Sequence, residues 1–158
     1  MLDQETFTQL VKAHKGSVFR LAYGYLRSQA DADDVAQTVF LRLYRRAEGF
    51  EDDDHLRRWL MRVTLNECAS LYRALRRRPE PIDDYVETLA LPTPRHADLF
   101  RRLMALPTRY RMVLQLYYCE GYTAAEVGEL LGVPRSTVYT RLARGRQRLR
   151  DILEEEGE

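Results

Sequence analysis

Apolar residues recur at three- and four-residue spacing along most of this chain, the period that gathers them on one face of an α-helix. No segment of convincing length alternates as a strand does, and no internal repeat appears. Phe7, Leu10, Val11 and His14 mark a first amphipathic stretch, and Val18, Leu21, Ala22, Tyr25 and Leu26 a second. Gly16-Ser17 offers a kink or break between them. The next helix follows Asp31, Asp33 and Asp34, acids placed where a helix N-terminus rewards negative charge. Its core side reads Ala36, Val39, Phe40, Leu43 and Ala47, while Leu41 and Tyr44 project elsewhere beside Gln37 and Arg45. That second apolar stripe needs a cover, either a partner protein or a third helix of this chain. An acidic run from Glu51 to Asp54 then leads into a basic aromatic helix with Arg57, Arg58, Trp59, Arg62, Tyr72 and Arg73. Rings interleaved with guanidinium groups suit the capture of unpaired bases, although a tryptophan there serves equally well in a core.

Pro79, Pro81, Pro92 and Pro94 punctuate a stretch without periodicity, which reads as a linker. Helix resumes near Ala97, stops before Leu106-Pro107 and restarts with Pro107 in a favoured first-turn position. The most specific stretch runs from Tyr122 to Arg150. Thr123 and Glu126 have the spacing of a capping box. Val127, Leu130 and Leu131 then form a short apolar stripe, and Gly128 is small enough to let a neighbouring helix cross closely. Gly132-Val133 breaks this helix and Pro134-Arg135-Ser136-Thr137 opens another. In that last helix Val138, Leu142, Gly145, Leu149 and Ile152 bury one side, while Thr137, Arg141, Arg144 and Arg148 share an adjacent stripe. The pair is a helix-turn-helix, with arginines available for phosphates and guanine edges in a major groove.

Charge sharpens this reading. The formal net charge is only +1, but it is segregated. Residues 95–150 contain eleven arginines and no lysine against four acids, Asp98, Glu120, Glu126 and Glu129, an excess of 11 − 4 = +7. Residues 79–94 carry four acids and no base, and residues 151–158 carry five acids and no base. Such patterning points to a local nucleic-acid surface beside regions that avoid it.

Other classes find little support. Cys68 and Cys119 stand far apart with no paired histidines, which indicates neither a zinc site nor a disulfide framework and fits a reducing cytoplasm. The acids at 31, 33 and 34 have no further ligands nearby for a divalent metal. No apolar run approaches the roughly 18 residues of a membrane span, and the N-terminus lacks the pattern of a signal peptide. His14, His55 and His96 are scattered, and Ser70 has no nucleophile context, so neither an enzyme nor a cofactor is expected. A stand-alone helix-turn-helix regulator and a structural adaptor remain as rivals, although residues 1–78 show no heptad seam or effector-like constellation.

The expectation is an all-α chain of two small helical domains, residues 1–78 and 97–158, joined by a flexible acidic linker at 79–96. Residues 31–37 and 40–45, followed by Trp59–Val63 and Asn66, resemble region 2 of the extracytoplasmic-function sigma factors. The stretches 106–107, 111–114, 120–123, 126–127, 131–133 and 137–142 independently resemble region 4 of that family. The resemblance implies a bacterial initiation factor that binds core RNA polymerase and directs it to promoter DNA. It assigns Asp34, Gln37, Phe40, Leu41 and Tyr44 to the clamp helices of the largest polymerase subunit, and implies a further contact with the flap of the second-largest subunit. The −10 element would be opened and held by Trp59, Arg62, Asn66 and Arg73, with the loop Asp52, Asp53, Asp54, His55 and Leu56 reading an extruded base. The −35 duplex would be read by Arg135, Ser136, Thr137, Tyr139, Thr140, Arg141 and Arg144. An anti-sigma factor is a further partner the resemblance allows, and the acidic linker would lie in the nucleic-acid channel of the polymerase. Thr38, Gly128, Ser136 and Tyr139 depart from the residues usual in the family, glutamate, alanine, glycine and lysine respectively.

Overall fold

The computed structural model describes residues 2–46, 48–75 and 94–157. Among these the chain is helical, without strands. It divides into two compact units, residues 1–83 and 84–158.

The first unit packs three helices mutually, α1 (Gln4–Leu26), α2 (Gln29–Arg45) and α3 (Asp53–Leu75). Asp3 caps α1, its carboxylate accepting from the Thr6 N–H at 2.8 Å and from the Thr6 hydroxyl at 2.9 Å. Contrary to the expected interruption, α1 runs unbroken through Gly16-Ser17. A glycine inside a helix costs only about 0.5–1 kcal/mol relative to alanine. Burying Val18, Leu21 and Leu26 on one continuous face returns more, at about 1.5–3 kcal/mol for each such side chain. The helix ends instead at Arg27, which takes a left-handed φ of 55° while its N–H donates to the Tyr23 carbonyl at 2.7 Å. Ser28 then caps α2, so the acidic triplet lies within that helix and only Asp31 occupies its first turn.

The largest correction concerns residues 52–56, expected as a base-reading loop. Asp53 to Leu56 form the first turn of α3, and Asp52 acts as the cap, accepting from the His55 N–H at 2.8 Å. Asp52, three residues before His55, satisfies an otherwise orphaned amide, and Leu56, 4% exposed, closes the core behind it.

The second unit comprises α4 (Pro94–Leu103), α5 (Thr108–Leu114) with a π-helical continuation over Gln115–Cys119, α6 (Ala124–Leu131) and α7 (Arg135–Glu156). Its α4 begins three residues before Ala97, since proline tolerates a helix's first turn, so residues 94–96 belong to the helix and not to the linker. The remaining linker residues, 79–93, lie outside the described residues. Pro107 precedes α5 as its cap residue and does not enter the first turn. The corner between α4 and α5 is tied by Arg111, 1% exposed, which donates to the Leu106 carbonyl at 2.5 Å and the Thr108 hydroxyl at 3.0 Å. Phe100, Leu103, Met104, Leu116, Val127 and Leu142 fill the core above it. No described helix is long and apolar enough to cross a membrane.

Candidate nucleic-acid and protein interfaces

The helix-turn-helix is built as its sequence foretold. Thr123 Oγ1 accepts from the Glu126 N–H at 3.2 Å, and the Glu126 carboxylate accepts from the Thr123 N–H at 2.9 Å, closing the capping box. Gly132 ends α6 with φ 71°, a conformation that costs glycine nothing. The chain turns tightly enough that a Cβ on Gly128 would stand 2.8 Å from the Val133 carbonyl oxygen. The glycine that weakens α6 thus permits the close turn onto α7.

Helix α7 seats Val138, Leu142 and Gly145 against α5 and α6, with Leu149 and Ile152 half-buried beyond them. Arg135, Ser136, Tyr139, Thr140 and Arg144 are exposed on its outer surface, while Thr137 and Arg141 are half-buried beside the seam. Tyr139 is 57% exposed. Among the described residues, neither Arg135 nor Arg141 forms an ion pair, which leaves both guanidinium groups for an anion. The acidic end of α7 turns elsewhere, with Glu156 bonded to Arg102 of α4 at 2.8 Å.

In the first unit, Arg62, Asn66 and Arg73 fall on one exposed stripe of α3. Arg58, named in the basic aromatic helix but not assigned to the −10 element, extends that stripe by one turn; its four-residue spacing to Arg62 was the available signal. Trp59 is half-buried, edge-on to Phe50 with ring centroids 5.6 Å apart. The Arg46 guanidinium caps both rings, 4.2 Å from the Phe50 centroid and 5.1 Å from that of Trp59. Trp59 is therefore largely engaged by its own unit, and no open stacking platform. His55 is held from both sides, its Nδ1 accepting from the Glu51 N–H at 3.1 Å while its ring meets Phe50. Asp53 and Asp54 are exposed.

On α2, Asp34, Gln37 and Leu41 are exposed on one stripe, Leu41 at 46%. No described helix covers Leu41. Phe40, by contrast, is 8% exposed and belongs to the core, because it faces the same side as Ala36 and Leu43. Tyr44 is half-buried and packs edge-on to Phe7 at 5.0 Å, so it serves the fold as well as the surface. Nearby, burial and then the charge of Arg57 lower the His14 imidazole below its ordinary value, with Asp53 partly opposing. Burial likewise pushes the Cys68 thiol upward, which makes it a core residue and a poor nucleophile. Among the described residues no cluster of histidine, cysteine and acids could hold a metal ion.

Comparison with known proteins joins these surfaces. Residues 10–78 match Sigma-70 region 2, and residues 96–149 match Sigma-70, region 4. The ECF RNA polymerase sigma factor SigM of Mycobacterium tuberculosis is 32% identical over 154 residues, covering 96% of this chain and 79% of the relative. The chain belongs to the ECF sigma factors. SigW of Bacillus subtilis, another member, is 29% identical over 171 residues, covering 96% of this chain and 90% of its own. Among solved structures, CnrH in complex with the cytosolic domain of CnrY matches with a TM-score of 0.68 at 28% identity, over 97% of this chain and 90% of that one. The sigma factor RpoE bound to the anti-sigma factor NepR, from Bartonella quintana, shares the fold with a TM-score of 0.73 at 20% identity, over 95% and 98% of the two chains. As an ECF sigma factor this chain acts in transcription initiation. The region 2 match across the first unit removes the stand-alone operator-binding regulator from consideration.

Proposed function

We propose that this sigma factor docks on the polymerase clamp through Asp34, Gln37, Leu41 and the outer edge of Tyr44. It then holds the opened −10 strand along Arg58, Arg62, Asn66 and Arg73, and reads the −35 duplex from α7. Strand opening costs stacking and pairing energy, and guanidinium contacts to the freed backbone recover part of it. With Asp52 engaged as a cap and Leu56 in the core, the base-reading role of that turn narrows to Asp53, Asp54 and the remaining nitrogen of His55. Carboxylates there can accept from an exocyclic amine. On α7, Arg135, Ser136, Thr137, Tyr139, Thr140 and Arg141 are the base-reading candidates. No covalent step is required, and the work takes place beside polymerase in the cytoplasm.

The observation that carries this reading is the exposed outer surface of α7, whose Arg135 and Arg141 lack acidic partners among the described residues, in a complete helix-turn-helix. The capture of CnrH by CnrY and of RpoE by NepR favours an anti-sigma factor as a second class of partner. Transcription by core polymerase on a fragmented genomic library tests the function. Transcripts that need this chain and share two upstream elements are expected; their absence with active core enzyme would refute the reading.

A further inference from the structure

Two arginines lie against one tyrosine in the second unit, with a third one turn away on α7. Tyr110 of α5 is 5% exposed and lies under α7 because Gly145 has no side chain. A Cβ at Gly145 would stand 3.3 Å from Tyr110 Cβ and 2.9 Å from Leu114 Cδ1. This close crossing carries Arg148 to the tyrosine, with Arg144 one turn before it on the same stripe of α7, and Arg109 precedes the tyrosine on its own helix. The Arg109 guanidinium lies 4.5 Å from the Tyr110 ring centroid and that of Arg148 lies 5.1 Å away. The neighbouring Arg109 guanidinium is the main cause that holds the phenol below its ordinary value, with Arg148 and Arg144 adding to it and burial opposing.

All three arginines are exposed, and none pairs with an acid among the described residues. Like charges gathered this way repel one another, and a neutral phenol does not cancel three of them. A phosphate offers what planar guanidinium forks bind best, charge and several acceptor oxygens. Position supplies the source of that phosphate. Arg141, Arg144 and Arg148 follow one stripe of α7, and seven helical residues span about 10 Å, close to the major-groove width of about 12 Å. A duplex read at Arg141 therefore brings its backbone to the cluster.

We propose that Arg109, Arg144 and Arg148, organised by Tyr110, form a phosphate clamp on the backbone of the −35 duplex. The proposal rests on α7 being the −35 helix. It moves Arg144 from base reading to backbone gripping, sets Arg148 of the same stripe beside it, and adds Arg109, which no helix-turn-helix pattern marks, with Tyr110 as the positioning residue.

Holoenzyme assembled from core polymerase and the full chain tests this on promoter fragments across a salt series. A second set of fragments carries single uncharged methylphosphonates beside the −35 element. Arg109→Ala should weaken binding about three- to tenfold, equally on all −35 sequences, and make the slope of log affinity against log salt shallower by about one. The variant should also become insensitive to the one methylphosphonate that weakens the wild type, and Arg109→Lys should restore most of the slope. Tyr110→Phe, which keeps the ring and loses the hydroxyl, should show a smaller loss of the same kind. An unchanged slope and phosphate profile in Arg109→Ala, with Arg141→Ala still relaxing base preference, overturns the clamp and leaves the −35 reading intact. A changed base preference in Arg109→Ala also overturns it. If both variants are silent, the −35 reading falls and takes the clamp with it.

Discussion

Gly145 shows how one missing methyl group fixes an interface. Alanine there would raise helix propensity by about 0.8–1.0 kcal/mol, but its Cβ would press on Leu114, which is buried, and on Tyr110. Overpacking of that kind costs about 1–3 kcal/mol, so Gly145→Ala is expected to lower the thermal midpoint of the chain; a raised midpoint would show that α7 can shift freely. His14 adds a pH dependence to the first unit. Its folded pKa lies below the ordinary value of about 6.5, so the unfolded chain binds a proton more readily. The contribution to stability is full above that ordinary value and is lost as pH falls through the folded one. Replacing it in His14→Gln should flatten the decline of stability below about pH 6.5, as followed by urea denaturation at a series of pH values.

At the level of the helix, α2 separates residues that the family resemblance had grouped, as sequence spacing had already done for Phe40 and Leu41. Phe40 turns into the bundle, Leu41 turns out, and Tyr44 does some of each through its contact with Phe7. Leu41→Ala is therefore expected to weaken binding to core polymerase in a pull-down titration with denaturation unchanged. Tyr44→Ala should add a stability loss of about 0.5–1.5 kcal/mol from the aromatic pair, and equal stability of the two variants would show that the Phe7 contact carries no weight. Helix α3 illustrates a different point. Its acidic start was legible as polar sequence, but the same acids describe a loop or a first turn equally well. Asp52 resolves the choice by capping, and Leu56 by burial.

At the scale of the molecule, the proposed function gives the two units separate tasks, and substitutions should separate them. Arg62→Ala is expected to reduce permanganate-reactive open complex while preserving the preferred −35 bases. Arg141→Ala should relax one −35 base, at about 1–3 kcal/mol of discrimination, with strand opening on a consensus −10 element preserved; a shared defect in both assays would argue against the division. Much of this was legible in the chain itself. Helical periodicity, the Thr123–Glu126 box, the stop at Gly132 and the segregation of arginines from acids are local properties, and local hydrogen bonding and burial of one face are enough to specify them. Gly16 passed as a break because spacing does not weigh a glycine's cost against the core that a continuous helix buries. Tyr110 and Arg109, and their meeting with Arg148, stayed out of view for a related reason: periodicity says which side of a helix is apolar, but not which neighbour it meets or how closely. Only the crossing of α5 and α7 at Gly145 brings those residues together, because contact at 3–5 Å depends on packing between segments some thirty-five residues apart.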